Sequence, residues 1–155
     1  MATALNDAIR RSVPVGGTSA GLAILGEFSF SAKHDTVTRA TALAEPFHAK
    51  VTVHKGLLRI PMMDCLITGS HFAKRDRMGR LLVFLGRIHS ESACVDVRGI
   101  GIDERAAVTF DENGQSATGT SRRYSVNGRS GGTERHPIRL EEMGTGAGQH
   151  LSTAR

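Results

Sequence analysis

Apolar positions recur at three- and four-residue steps through Met78, Leu81, Leu82, Leu85 and Ile88, so the spacing predicts a helix over 74–89 with one buried stripe. Its opposite face is basic. Ala4, Leu5, Ala8 and Ile9 share a face in the same way and predict a helix over 3–11. Val13 to Gly16 is a short apolar run bounded by glycine, the pattern of a buried parallel strand; Gly16-Gly17 closes it, and residues 21–25 open the next helix. Residues 28–32 read as a short strand or loop, and 41–47 as a helical turn that Pro46 ends. Alternation at Val51 and Val53 predicts a strand over 51–58. Residues 63–68 predict a buried strand ending at Gly69-Ser70-His71, and residues 94–97 one ahead of a turn at Gly99-Ile100-Gly101-Ile102-Asp103-Glu104. Residues 106–110 and 117–126 flank Asp111-Glu112-Asn113-Gly114, a hairpin signal. Strands alternating with helices give an α/β class, a partial and mostly parallel sheet flanked by helices with a C-terminal β-hairpin. From Arg129 on, Gly, Ser, Thr, Arg and Glu dominate, so the expected organisation is one domain over 1–128 and a poorly ordered tail over 129–155. No internal repeat is visible.

Composition agrees with one globular domain: 155 residues, 39% hydrophobic. The net charge of +5 is concentrated in two places. Lys74, Arg75, Arg77, Arg80 and Arg87 face only Asp76 within 74–87, and six Arg face three Glu from Arg122 onward. A basic patch suits an acidic polymer or substrate. Nucleic acid is not expected as a partner, because no aromatic side chains interleave with the charge. Cys65 and Cys94 form no Cys-x-x-Cys pair and read as two buried free thiols. The seven His lack a His-x-x-x-His spacing, so neither a metal site nor a cofactor is expected. No apolar run reaches the ~20 residues of a membrane span. The first residues lack a signal-peptide core, which makes the cytoplasm the default expectation and a membrane partner unexpected.

Gly17-Thr18-Ser19-Ala20-Gly21 fits the Gly-x-Ser-x-Gly nucleophile elbow. A strand turning sharply into a helix leaves Ser Oγ exposed, and glycine on either side lets the chain turn without a Cβ clash. The N–H of Ala20 is the natural donor to a developing oxyanion. The same five residues also suit a phosphate-cradling or merely structural turn. A nucleophilic Ser needs a base, and the base an orienting acid. His71 ends a predicted buried strand, where α/β sheets present functional groups; Glu104 ends another strand-end turn. Each alone is as well explained by a structural or solvated side chain. The chain order Ser, His, Glu disfavours the α/β-hydrolases, whose order is Ser, acid, His.

Four segments resemble the cyanophycinase-like serine peptidases, the branch that includes the aspartyl dipeptidases. They are Val15-Gly16-Gly17-Thr18-Ser19-Ala20-Gly21; Ser31-Ala32-Lys33-His34-Asp35-Thr36-Val37-Thr38; His71-Phe72-Ala73-Lys74-Arg75-Asp76-Arg77-Met78-Gly79-Arg80-Leu81; and Gly99-Ile100-Gly101-Ile102-Asp103-Glu104-Arg105-Ala106-Ala107. The resemblance runs from about residue 4 to about residue 126. It implies the C-terminal half of a three-layer fold like that of the class I glutamine amidotransferases and flavodoxins. It also implies Ser19 as nucleophile, His71 as base, Glu104 as the acid that orients it, and Arg75, Arg77 and Arg80 as a basic element holding acidic groups of a peptide or aspartyl-polymer substrate. The implied reaction is hydrolysis of amide bonds beside aspartyl units, with release of β-aspartyl-arginine.

Two departures from that family qualify the implied activity. The family has an acidic residue two positions before the His, where this chain has Gly69. Its chains are also roughly twice as long, with the nucleophile near the middle, so the first strands and a Gly-rich loop are expected to be lacking and hydrolysis to be impaired. An exposed sheet edge would then follow. Two further function classes therefore stand beside the peptidase: a non-catalytic remnant, stable as a homo-oligomer or with a complementary chain, and a basic module that binds an acidic polymer.

Overall fold

The computed structural model describes residues 2–111, 114–119, 123–129 and 139–143, with side chains through residue 111. The helices are α1 (Ala2–Arg10), α2 (Ala20–Ala23), α3 (Arg39–Ala44) and α4 (Met78–Glu91). The strands are β1 (Phe28–Phe30), β2 (Val53–Lys55), β3 (Leu66–Ser70), β4 (Asp96–Ile102), β5 (Ala106–Asp111), β6 (Gly114–Gly119), β7 (Arg123–Arg129) and β8 (Arg139–Met143). Six of the strands make one sheet in the order β2-β1-β3-β4-β7-β8, and β5 and β6 form a separate hairpin. The class is α/β. Its parallel part is β1-β3-β4, with α4 as the crossover between β3 and β4, and antiparallel partners β2 and β7 extend it on either side. Among the described residues, no helix is long and apolar enough to cross a membrane.

Strand residues alternate faces, and that alternation divides the interior in two. Leu66, Ile100 and Ile102 point to one side, where Met63 joins them and Leu22, Ala106, Val108 and Phe110 pack against them. Ile67 and Val97 point to the other side, into a cluster with Phe72, Leu81, Phe84, Leu85 and Ile88. The apolar stripe of α4 lies against that side, as its periodicity predicts. The helix starts at Met78 rather than at 74; residues 72–76 form turns ahead of it.

Gly99-Ile100-Gly101-Ile102 is not a turn. It is the second half of β4, paired in register with Ile67–Ser70 of β3. Glycine at every second position suggests a loop, but here it clears one face of the strand for its neighbours. A Cβ on Gly99 would lie 3.2 Å from Leu81, and one on Gly101 only 2.4 Å from the Phe72 ring. Phe72 is among the most fully buried side chains and directly follows His71. Gly101→Ala is therefore expected to push the ring out and to cost about 1–3 kcal/mol, the usual range for overpacking a filled core. Urea denaturation measures this, and an unchanged midpoint would show that the ring can move aside freely.

Residues 13–16 are not a strand. They form no ladder with another segment among the described residues, and Val13 and Val15 stay 47% and 39% exposed. Pro14 removes one backbone donor from this run, and a run without a neighbour on either side has nothing to hold it in a sheet. β5 and β6 pair as a hairpin with Asp111 opposite Gly114, but the expected second arm is two strands: β6 ends at Gly119, and β7 pairs instead with the whole of β4. Within the 129–155 segment, Arg139–Met143 is a strand paired with β7; most of the rest lies outside the described residues.

The cysteines are not free thiols. Cys65 and Cys94 form a disulfide between Cα atoms 5.7 Å apart. The pairing was hidden in the sequence because its two ends are 29 residues apart and are brought together only by the side-by-side starts of β3 and β4.

Candidate active site

Ser19 stands just ahead of α2 with φ 51° and ψ −113°, a conformation that costs energy for any residue with a Cβ. The turn is closed by the Gly21 N–H donating to Thr18 O (2.8 Å) and the Ala23 N–H donating to Ser19 O (3.2 Å). Gly17 is required sterically, since a Cβ there would lie 2.3 Å from the carbonyl carbon of Gly21. The Ser19 side chain caps nothing and is free to point elsewhere. α2 is tied to β3 by the Thr68 hydroxyl, which donates to Leu22 O at 2.7 Å.

His71 is the first residue beyond β3 and has φ 49°, again in the left-handed region. Its Nε2 lies 3.1 Å from Ser19 Oγ and its Nδ1 lies 2.9 Å from Glu104 Oε1. Glu104 follows β4, the parallel neighbour of β3, so adjacent strands deliver these two groups at the same end of the sheet. Three residues far apart in the chain thus form one hydrogen-bonded row. Its central imidazole is 28% exposed, open at the surface but not fully solvated.

Two further residues, to which the sequence assigns no part in the site, hold the row in place. Asp103 Oδ1 accepts the Ala73 N–H at 2.7 Å and fixes the turn after His71, while Lys74 Nζ lies 3.5 Å from Glu104 Oε1. That Asp103 precedes Glu104, and that Lys74 lies three residues after His71, was the only trace of this. It takes the β3–β4 register to show that the two segments meet.

The hydrogen bond with His71, foremost, and then the backbone N–H of Glu104 itself hold the Glu104 carboxyl at about 2, below its ordinary 4.5. A depressed carboxyl stabilises the folded arrangement fully above its ordinary value, and that contribution is lost as the pH falls from 4.5 toward 2. Carboxyl-carbon NMR of Glu104 should accordingly titrate with a midpoint near 2, and His71→Ala should move it upward. A wild-type midpoint at the ordinary value would mean that the bond does not form in solution.

The three arginines do not share a helix. Arg75 lies in the turn after His71 and is exposed; Arg77 immediately precedes α4; Arg80 lies in its first turn. Arg77 donates to Ser70 O at 2.6 Å. The Arg80 guanidinium lies over the rings of Phe30 and Phe84 at 5.0 and 5.6 Å. Arg77 and Arg80 line a small cleft with Ala23, Thr68, Gly69 and Ser70, the last adjacent to His71 in the chain; Arg75 is not part of it. Among the described residues no carboxylate pairs with either. Burial, and then repulsion from Arg77 and Arg75, lowers Arg80 to about 10; burial and Arg75 lower Arg77 in the same direction. Gly69 lines this cleft without adding a charge.

Among known proteins, three cyanophycinases match. That of Geminocystis herdmanii is 36% identical over 101 residues, 65% of this chain and 31% of that protein. Those of Trichormus variabilis and a Nostoc species are each 34% identical over 100 residues, 64% of this chain and 28% of theirs. The chain is similar to cyanophycinases. It matches less than a third of the length of these curated relatives. No family model matches the chain, and no solved structure matches it significantly.

Proposed function

We propose that this chain contributes the nucleophile, base and orienting acid of a cyanophycinase-like serine peptidase. The observation that supports this most is the hydrogen-bonded row Ser19–His71–Glu104, in the polarity a serine nucleophile needs. Ser19 Oγ attacks the carbonyl of an amide beside an aspartyl unit, and His71 Nε2 takes the hydroxyl proton. Glu104, at the far ring nitrogen, fixes the tautomer and stabilises the imidazolium. The developing oxyanion is met by the Ala20 N–H. His71 then returns the proton to the leaving amine, and water releases the acyl group by the reverse sequence.

Arg77 and Arg80, half-buried cations that no carboxylate pairs with among the described residues, suit an acidic group of the substrate, and guanidinium forks pair with carboxylates in two-point fashion. Exposed Arg75 would add charge at the mouth. One N–H is a weak oxyanion hole, and a missing donor typically costs about 10²–10³ in rate. The expected result is slow release of β-aspartyl-arginine from cyanophycin by the purified chain, lost in Ser19→Ala. Release that persists in Ser19→Ala would overturn the assignment of the nucleophile.

A second reading is favoured by the surface around the turn. Val13, Val15 and Ile24, the last 45% exposed, surround Ser19 in the chain with apolar side chains. A second copy or a complementary chain covering this face would complete the site. Sedimentation distinguishes the two: a single monomer species across the working concentration range argues against a homo-oligomer.

A further inference from the structure

We propose that Cys65, Cys94 and Glu27 form a redox-gated zinc site. Oxidised, the two cysteines are joined as the disulfide; reduced, their thiolates and the Glu27 carboxylate hold one Zn²⁺, with water in the fourth position. The ligand atoms of these three residues all lie within 4.8 Å of one another. Two sulfurs and one carboxylate oxygen are a donor set that zinc accepts, and three protein ligands plus water is a common coordination for it. Tetrahedral bonds of about 2.3 Å to each sulfur put the sulfurs about 3.7 Å apart. Side-chain rotation on reduction supplies that separation without moving Cα atoms that are already 5.7 Å apart.

Glu27 is held in place for this. Its Oε2 accepts the N–H of Cys65 itself at 2.6 Å, so the carboxylate follows the cysteine wherever the loop sits. Its Oε1 meets Lys55 Nζ at 2.8 Å, and Lys55 is 57% exposed, able to swing into water when a cation takes its place. Glu27 also lines a cleft of about 220 Å³ with Leu58, Arg59, Ile60 and Met63, so its carboxylate is reached from solvent.

The redox step balances with a dithiol reductant. One of its thiolates attacks a disulfide sulfur, the resulting mixed disulfide is resolved by its second thiol, and it leaves as its own disulfide after giving two electrons and two protons. Zinc binding then releases both cysteine protons to solvent. Either state ties the start of β3 to the start of β4, the two strands that end at His71 and Glu104, so the site keeps its frame on both sides of the redox change.

The test uses the whole chain reduced with a phosphine, which does not compete for the metal, and titrated with Zn²⁺ against a chromophoric chelator; Co²⁺ serves as the spectroscopic stand-in. Expected are one equivalent bound by the reduced protein, none by the oxidised protein, and a thiolate-to-cobalt charge-transfer band. Cys65→Ser and Cys94→Ser should each lose tight binding. Glu27→Gln, which keeps both cysteines, should weaken it at least about tenfold. The proposal is overturned if the reduced protein binds no more tightly than a Cys65→Ser/Cys94→Ser chain. It is equally overturned if Glu27→Gln binds as tightly as wild type, since two thiols on a loosened chain would then suffice.

Discussion

Ser19→Ala is expected to bring amide hydrolysis by this chain down to the uncatalysed background. In an intact site of this kind the loss is on the order of 10⁶-fold in kcat, and it is smaller in proportion where the oxyanion is poorly held. His71→Ala should lose as much, because the hydroxyl 3.1 Å away has no other base in the row. Losses at the two positions should not add, since either change alone disables the same proton transfer. Glu104→Gln should lose less, roughly 10⁴-fold: the amide keeps a contact with His71 Nδ1 but can hold the ring in the wrong tautomer. A time course with β-aspartyl-arginine as product measures all three. If His71→Ala abolished hydrolysis while Ser19→Ala spared it, the imidazole would be activating water rather than Ser19.

Removing the disulfide is expected to have the largest effect on stability. Cross-linking two positions 29 residues apart removes denatured-state entropy worth about 3–4 kcal/mol in the chain-entropy picture. For a domain of this size that corresponds to a fall in Tm of roughly 10 °C. Cys65→Ser and Cys94→Ser should give similar shifts, as should reduction of the wild type with zinc withheld. The structural consequence reaches the site, because the disulfide fastens β3 to β4 at the end opposite His71 and Glu104. Denaturant midpoints for the oxidised wild type and the variants decide the matter. Equal midpoints would mean that the ladder between the strands is sufficient by itself.

Much of this arrangement was legible in the sequence, and the misreadings share a cause. The stripe on α4, the run into β3 and the turn at Gly17–Gly21 are local signals, carried by spacing or by a few small residues, and the structure has each of them. Gly99-Ile100-Gly101-Ile102 was misread because glycine reports local freedom and says nothing about what the cleared face receives, here Leu81 and Phe72. Val13–Gly16 was misread for the opposite reason: an apolar run becomes a strand only when a neighbour pairs with it. The disulfide and the clip from Asp103 to Ala73 depend wholly on the β3–β4 register, a property of two segments that neither shows alone. Arg77 and Arg80 could be picked out as basic. That they share a small cleft, and that Arg75 does not, follows from where α4 begins.

The most direct measurement is covalent labelling of the intact chain with a small fluorophosphonate, which reacts with an activated serine whatever the natural substrate is. Mass spectrometry of the digested product should find the phosphonyl group on Ser19 alone. Labelling should be abolished in His71→Ala, which removes the base beside Ser19 Oγ. No adduct at Ser19 under conditions where an ordinary serine peptidase is labelled, or an adduct that forms equally well in His71→Ala, would contradict the claim that Ser19 is activated by the row it stands in.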